Sequence, residues 1–306
     1  MNDVAVGIDI GGTTIKLGLV RRDGAILARR RLAYAAMASF DDIVDRIAGE
    51  IGAMRAETGC PAVTLGIAAP GHACSKDGAM VDGTGNVPLL KNQSLAAALS
   101  NRLALPVATV NDGIAAALGE LHFGAGRGLA RFVVITLGTG VGGGVVIGGQ
   151  VVTGGGGEPP EIGGMVLDAT PLDAKGGKSG TLEGFASAAG FTAAYLQQGG
   201  RDPLPPEAIF ARAAQGDEIA RRAIEATARR IAQALGTMIN LLNLQACLIG
   251  GGIAQAGDQL IEPVRSHLPQ FTWPYLLSRS RLALAATGDD AGLLGAAVTA
   301  FAGTSG

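Results

Sequence analysis

Charged side chains are scarce in this sequence, and neither sign dominates. Asp, Glu, Lys and Arg make up 16% of the 306 residues, and the formal net charge is −2. In an average globular domain, charged residues make up about a quarter of all residues. A chain without a basic surplus lacks the electrostatic attraction on which nucleic-acid binding depends. We therefore predict no nucleic-acid partner.

Cysteines and long apolar runs are also scarce. The three cysteines, Cys60, Cys74 and Cys247, are far apart, so they form neither a metal-type pair nor a disulfide framework. This usage is typical of a reducing compartment. The N-terminus has no basic segment leading into an apolar one, as a secretory signal would. No apolar run reaches the roughly 18 residues of a membrane span. These absences predict a cytoplasmic protein without a membrane partner.

Glycine, in contrast, is abundant and clustered. The chain has 49 glycines, and 48% of its residues are hydrophobic, enough for a sizeable core. Glycine clusters at strand ends mark sharp turns or places where the backbone approaches a ligand closely. The clusters are DIGGTT, LGTGVGGG, TGGGGEPPEIGG, KGGKSG and LIGGGIAQAG.

The order of predicted elements repeats along the chain. Residues 4–10 predict a buried strand, Gly11-Gly12 a hairpin turn, and TIKLGLV the returning strand. The stretch RFVVITLGTGVGGGVVIGGQVV has the same order of strand, glycine turn and strand. Helices and strands alternate after each opening, which predicts an α/β protein with two domains. We place the first domain at residues 1–116, joined by a C-terminal helix at 290–303, and the larger second domain at 117–289.

The glycine turns favour phosphate over a dinucleotide. GTGVGG matches G-x-G-x-x-G, but the Rossmann motif requires a helix directly afterwards, and the strand-like VVIGGQVV follows instead. No P-loop pattern occurs. The Gly-Thr hairpins at 11–14 and 138–140 would present backbone N–H groups to one point, which suits an anion. Each alone is compatible with an ordinary hairpin; together with a third turn at 250–252 they favour phosphate.

Two carboxylates stand where predicted strands end. Asp9 comes two residues before the first glycine turn, where it would repel a phosphate unless a cation such as Mg²⁺ lay between them. The alternative is a residue that caps the turn. Asp112 follows the strand-like PVATV and precedes the helical IAAAL. From these residues alone, an N-cap is the favoured interpretation of Asp112.

Eight separated motifs occur in an order that resembles the ROK family of bacterial sugar kinases and related repressors. The likeness covers nearly the whole chain, and it implies the actin-like ATPase fold, with two ribonuclease H-like domains around a central cleft. Because the chain begins at its first phosphate motif, without the helix-turn-helix of the repressors, a kinase is expected. The motifs are GIDIGGTTIKLGLV, GIAAPG, VNDGIAAALGE, ITLGTGVGGGVVIGGQVV, GEPPEIGG, LEGFAS, LIGGGI and DDAGLLGAA.

The resemblance implies a role for the residues of these motifs. Asp112 would be the general base and would also cap its helix, whose dipole would keep it ionised at neutral pH. Asp9 would hold Mg²⁺ through water. Sugar hydroxyls would be bound by Asn86, Asn111, Asp112, Glu161 and Glu183. The nucleotide would be held by Asp9, Gly11, Gly12, Thr13, Thr14, Lys16, Gly138, Thr139, Gly140, Gly250, Gly251 and Gly252.

The sequence departs from the family pattern at the sugar side. Gly164 stands where the family has a histidine that contacts the sugar and binds zinc, and no Cys or His follows in the next twenty residues. All ligands of the family's zinc are therefore missing together, and we predict no zinc site. The family's NDAN is NDGI here. His72, His122 and His267 are isolated, and we interpret them as structural or surface residues.

These observations predict an ATP- and Mg²⁺-dependent hexose kinase, most simply one that converts glucose to glucose 6-phosphate. Kinases with another acceptor remain alternatives: an amino sugar, N-acetylmannosamine, fructose or a cyclitol. Polyphosphate as the donor is a further alternative. From other classes, a non-catalytic sugar sensor and a structural actin-like protein are disfavoured by the retained Asp9, Asp112 and sugar-side residues. By analogy with the family we expect a homodimer.

Overall fold

The structure is a computed structural model, and it describes residues 4–73, 79–82, 84–169 and 179–303. Among the described residues, no helix combines the length and the hydropathy needed to cross a bilayer. The strands are β1 (Val4–Ile10), β2 (Thr14–Arg21), β3 (Ile26–Ala33), β4 (Thr64–Ala69), β5 (His72–Ala73), β6 (Met80–Asp82), β7 (Val107–Asn111), β8 (Arg131–Leu137), β9 (Val141–Ile147), β10 (Gln150–Val151), β11 (Ala246–Gly250) and β12 (Arg281–Leu284). The helices are α1 (Phe40–Thr58), α2 (Leu95–Leu103), α3 (Asp112–Phe123), α4 (Leu182–Ala186), α5 (Ala188–Gln197), α6 (Pro206–Ala214), α7 (Glu218–Leu242), α8 (Asp258–His267), α9 (Pro274–Leu277) and α10 (Ala291–Gly303).

The chain forms two compact units. Unit 1 comprises Met1–Arg127, Val151–Pro160 and Asp289–Gly306, and unit 2 comprises Gly128–Gln150 and Glu161–Gly288. The domain boundary that we place after residue 116 lies inside α3, which belongs wholly to unit 1. The C-terminal helix α10 also belongs to unit 1.

Unit 1 is built on a five-stranded mixed sheet in the order β3-β2-β1-β4-β7. Strands β1, β4 and β7 are parallel, and the glycine turn makes β2 antiparallel to β1, as predicted. Side chains alternate between the faces of a strand. Val6 and Ile8 accordingly share a core with residues of α1 and α2, whereas Ala5 packs with α10. Asp9 is four residues after Ala5 in the same strand, so its side chain points to the same face of the sheet, the one that α10 covers.

Unit 2 repeats this topology. Its sheet has the order β10-β9-β8-β11-β12, with β8, β11 and β12 parallel and β9 antiparallel to β8. Helix α7 buries one apolar side in the core of unit 2. The internal repeat inferred from the sequence is therefore confirmed. In each unit, glycine turns or polar motifs follow the carboxyl ends of the parallel strands.

Three glycines lie side by side on the α10 face of the first sheet. Gly7 is the register partner of Gly18 on β2 and of Gly66 on β4. A Cβ atom at Gly66 would overlap the main-chain oxygen of Ala296, and one at Gly7 would overlap that of Leu293. The backbone of α10 therefore packs directly on the sheet. This packing places the start of the helix beside the end of β1 and the beginning of β2.

Candidate active site

The carboxyl ends of three parallel strands meet at one edge of the sheet in unit 1. Asp9 lies near the end of β1, paired with Ala68 of β4, and Asn111 ends β7. Asp112 begins α3 immediately afterwards. In open α/β sheets, ligands bind outside the carboxyl ends of the strands. The structure thus brings together Asp9, Asn111 and Asp112 from distant parts of the sequence.

The first glycine turn lies at the same edge. The N–H of Gly11 donates to the carbonyl of Thr14 (3.0 Å), which closes the turn between β1 and β2. A Cβ atom at Gly12 would be 2.9 Å from the Cβ of Asn86, so only glycine fits against this neighbour. Asn86 itself is exposed. The predicted phosphate turn and one predicted sugar residue are therefore adjacent in unit 1.

Lys16 and Asp9 form an ion pair beside this turn. Lys16 Nζ is 3.5 Å from Asp9 Oδ2, and both side chains are about four-fifths buried, with 20% and 19% of their area exposed. Burial raises the pKa of Asp9, against the opposing effect of the Lys16 charge. The carboxyl group also lies against the first turn of α10, because a Cβ atom at Gly292 would be 2.7 Å from Asp9 Cγ.

Sequence reasoning missed Asp289, which is the second partner of Lys16. Lys16 Nζ donates to Asp289 Oδ1 (2.6 Å) and to its main-chain oxygen (3.0 Å), and Arg31 also donates to the Asp289 carboxylate. Partial burial opposes ionisation of Asp289, but the hydrogen bonds from the two cations lower its pKa. The family motif DDAGLLGAA contains Asp289, but the resemblance implied no role for this residue.

Asn111, rather than Asp112, is the N-cap of α3. Asn111 Oδ1 accepts from the N–H groups of Gly113 (2.8 Å) and Ile114 (3.2 Å), and its Nδ2 donates to the carbonyl of Gly71 (3.0 Å). The prediction that Asp112 caps the helix is therefore wrong by one residue. The strand-end conformation of Asn111, with φ −64° and ψ 146°, is the extended one that an N-cap requires.

The carboxylate of Asp112 is left at the surface of the first helical turn. The residue is accessible to solvent, but the protein around the carboxyl group restricts its hydration. This burial raises the pKa of Asp112, and the Asp9 charge raises it further, while a hydrogen bond from Gly113 acts in the opposite direction. The expectation that Asp112 is ionised at neutral pH stays a prediction.

Replacing Asn111 with alanine should destabilise the protein by about 1 kcal/mol, since the N–H of Ile114 loses its side-chain acceptor and that of Gly113 retains only Asp112. Thermal unfolding followed by circular dichroism measures this loss. Asn111→Asp is the comparison, because it retains the cap acceptor, loses the bond to Gly71 and adds a negative charge at the helix N-terminus. An alanine variant as stable as the wild type would contradict the assigned cap.

The second phosphate turn in unit 2 is held by Glu183. The turn at 138–140 is closed by a hydrogen bond from Gly138 N–H to the carbonyl of Gly140 (3.0 Å). Glu183 Oε2 accepts from the N–H of Val141 (2.9 Å), and a Cβ atom at Gly140 would be 2.8 Å from this oxygen. The structure therefore brings Glu183, predicted to bind the sugar, directly against the turn predicted to bind phosphate.

The third glycine turn lies next to the second. Gly250 ends β11 and pairs in register with Thr136 of β8. Gly251 has φ +85°, and a Cβ atom there would be 2.7 Å from the main-chain nitrogen of Leu137. Only glycine fits this backbone approach. The turns at 138–140 and 250–252 thus form one glycine-lined edge of unit 2.

The remaining sugar-side residues are in the same unit. Glu161 is exposed and directly precedes a 3₁₀ turn over Ile162–Gly164. Gly164 is exposed, and among the described residues a Cβ atom there would meet only the Cβ of Glu161, at 3.9 Å. The part of the chain that the structure describes therefore leaves space for a side chain at residue 164. Much of the segment where the family has its zinc ligands, residues 170–178, is outside the described residues, so the zinc-free prediction stays a prediction.

Comparisons with known proteins place this geometry in a family. The ROK family profile matches residues 5–302. The chain is 32% identical over 305 residues to the glucokinase of Thermotoga maritima, covering 95% of each chain. It is 33% identical over 299 residues to an N-acetylmannosamine kinase of Escherichia coli, covering 96% of this chain and 97% of the relative.

A solved structure agrees with these relatives. The ROK family glucokinase from Streptomyces griseus in complex with glucose and AMPPNP superposes with a TM-score of 0.82 at 29% identity, covering 98% of this chain and 99% of that chain. The α/β class, the actin-like ATPase fold and the enzyme class of ATP-dependent sugar kinase are confirmed. On the profile match and on these relatives, the chain belongs to the ROK family.

Proposed function

We propose that this chain transfers the γ-phosphoryl group of ATP to a hexose hydroxyl, with glucose as acceptor and glucose 6-phosphate as product. The observation that carries the proposal is the grouping of Asp112, Asp9 and the turn Gly11–Thr14 at one sheet edge of unit 1. Phosphoryl transfer needs an oriented hydroxyl, a group that takes its proton and a cradle for the phosphates. That edge offers candidates for the last two.

Asp112 acts as the general base in this proposal. Its carboxylate takes the hydroxyl proton as the sugar oxygen bonds to the γ-phosphorus, while the bond between the γ-phosphorus and the β–γ bridging oxygen breaks and ADP leaves. A raised pKa suits this task, because a base is most effective when its pKa lies nearer the working pH. The backbone N–H groups of Gly11–Thr14 stabilise charge on the phosphates.

Asp9 is the residue that fits a magnesium ion. Mg²⁺ usually keeps several waters and uses one or two carboxylates besides the substrate phosphates. In the described ranges, no three His, Cys, Asp or Glu side chains converge as ligands, which is compatible with a single carboxylate acting through water. Bound there, the ion would neutralise charge on the transferred group. Asp9 would orient its water ligands beside the turn.

The remaining residues of the proposal bind the nucleotide and the sugar. Gly138, Thr139 and Gly140 bind phosphate, and Gly250, Gly251 and Gly252 approach the adenosine. The sugar hydroxyls are bound by Asn86, Asn111, Glu161 and Glu183. One carboxylate oxygen of Glu183 accepts from the N–H of Val141, and this bond orients the side chain beside the turn at 138–140.

N-acetylmannosamine is the second candidate acceptor, and a specific observation favours it. The open space at Gly164 would accommodate a substituent that a larger residue excludes. A relative of 33% identity carries that activity. Fructose, other amino sugars and cyclitols as acceptors, and polyphosphate as donor, are outcomes that the experiment below distinguishes.

The test is an acceptor and donor panel in which the phosphorylated product is detected directly by phosphorus NMR. We expect the highest kcat/KM with glucose and Mg-ATP, and no product from 6-deoxyglucose, which lacks the accepting hydroxyl but is otherwise matched. Product with N-acetylmannosamine alone would move the acceptor to the second candidate. Heat of glucose binding without product from any acceptor would contradict the kinase and indicate a sensor.

Two further features belong to the proposal. ATP as donor supports a cytoplasmic location. A homodimer is supported by Trp273 and Tyr275, which line one surface pocket of unit 2 and are 70% and 63% accessible, since contiguous exposed apolar surface marks association sites.

A further inference from the structure

A row of three charged side chains crosses the first sheet at its functional edge. Asp9 of β1 is the register partner of Lys16 of β2, and Lys16 is the partner of Arg31 of β3. Directly opposite residues point to the same face of a sheet. One carboxylate and two cations therefore stand in line on the face that α10 covers.

Asp289 lies over this row, just before α10 begins. Its carboxylate pairs with Lys16 (2.6 Å) and with Arg31, so it bridges the two cations. Its main-chain oxygen accepts a second hydrogen bond from Lys16 (3.0 Å). Lys16 therefore directs two of its three N–H groups to Asp289, while Asp9 is farther away at 3.5 Å.

We propose that Asp289 is a positioning residue that holds Lys16 back from Asp9, and thereby keeps the Asp9 carboxylate available to a Mg²⁺-bound nucleotide. This inference rests on the proposed function. Asp289 contacts no reacting atom in the proposal; it acts through Lys16. Because α10 packs on Gly7, Gly18 and Gly66, the position of Asp289 relative to the three charged side chains is fixed.

The physical reason is competition between two carboxylates for one ammonium group. Charge-assisted hydrogen bonds are shorter and stronger than neutral ones, and Lys16 makes its short contact with Asp289. Without that negative charge, the nearest remaining carboxylate is Asp9. A closer Lys16–Asp9 pair would place a positive charge where the proposal requires a divalent cation, and the two would repel each other.

Asp290 provides a matched control in the adjacent position. It pairs with Arg29 at 2.8 Å, on the same strand as Arg31 and two residues from it. Asp290→Asn removes the same charge from the same turn and breaks a comparable exposed ion pair. Asp290 pairs with Arg29 rather than with Lys16. This variant should therefore reproduce only the effect of Asp289→Asn on the stability of α10.

The experiment measures ADP binding by calorimetry in two buffers, one with Mg²⁺ and one with a chelator. For Asp289→Asn we expect Mg-ADP affinity to fall about tenfold, an effect typical of losing one charge-assisted interaction. Metal-free ADP affinity should change little. Asp290→Asn should leave both affinities unchanged, and Asp289→Glu should restore most of the Mg-ADP affinity because it restores the charge. Both Asn variants should lower Tm by similar small amounts.

The outcomes separate this inference from the proposed function. If Asp289→Asn and Asp290→Asn bind Mg-ADP equally well, the positioning role is overturned while the kinase stands. An equal loss with and without Mg²⁺ also overturns it, because the effect would then lie in a direct contact of Lys16 with phosphate. Absence of ADP binding by the wild type would remove the proposed function, and this inference with it.

Discussion

Replacing Asp112 with asparagine should lower kcat by a factor of about 10²–10⁴, the usual contribution of a general base, while ADP affinity stays at the wild-type value. Asparagine has the same shape and can still accept the hydrogen bond from Gly113, but it cannot take a proton. The measurement is steady-state kinetics with glucose and Mg-ATP, together with calorimetry of Mg-ADP.

The same variant should be at least as stable as the wild type at neutral pH. The pKa of Asp112 is raised in the folded protein, so its ionised form is disfavoured by folding. A raised carboxyl pKa means that the folded state binds more protons than the unfolded state. Stability is therefore lost as the pH rises from the unfolded value through the folded one. Asparagine removes this cost and the repulsion from Asp9, so Tm should not fall.

The pH profile gives an independent check on the assignment. If Asp112 is the base, the acidic limb of kcat/KM should titrate above the ordinary aspartate pKa, because burial raises that value. A variant Asp112→Asn that keeps wild-type kcat, or whose Tm drops sharply, would contradict the role or show that Asp112 is structural.

Local patterns in the sequence predicted the elements and their repetition, but one residue of the site was misassigned. The stretch Asn111-Asp112-Gly113 offers two adjacent side chains that can each cap a helix. Periodicity cannot decide between them, because the choice depends on which residue keeps the extended conformation of β7. The bond from Asn111 to Gly71, forty residues away, favours Asn111. The cap, Asn111, and the proposed base, Asp112, are thus adjacent residues.

Contacts between distant segments could not be predicted from the sequence, for a different reason. Lys16 and Asp289 are separated by 273 positions, and only the docking of α10 on a row of glycines joins them. The glycine clusters of the sequence mark turns, whereas Gly7, Gly18 and Gly66 lie singly within strands. Their shared row follows from strand register, which one sequence does not reveal. The Glu183 contact with Val141 depends in the same way on how α4 meets β9.

Replacing Gly66 with alanine should destabilise unit 1 by about 3 kcal/mol or more, the upper part of the range for overpacking. The new methyl group would overlap the main-chain oxygen of Ala296, and a helix backbone cannot move aside as a flexible side chain can. In an unobstructed strand, alanine would be more favourable than glycine by roughly 0.5–1 kcal/mol. The clash must exceed that gain, and we expect it to do so.

Gly49 allows the same substitution with the opposite expected sign. It lies in α1, and a methyl group added there would meet no atom of the described residues within 4 Å beyond the helix's own backbone, so Gly49→Ala should stabilise the helix by roughly 0.5–1 kcal/mol. Thermal unfolding of the two variants beside the wild type compares them directly. Equal Tm values for Gly66→Ala and the wild type would contradict the direct packing of α10 on the sheet.

If Gly66→Ala instead folds with a lower Tm, its Mg-ADP affinity becomes informative. Displacing α10 moves Asp289 away from Lys16, so that affinity should fall as it does in Asp289→Asn.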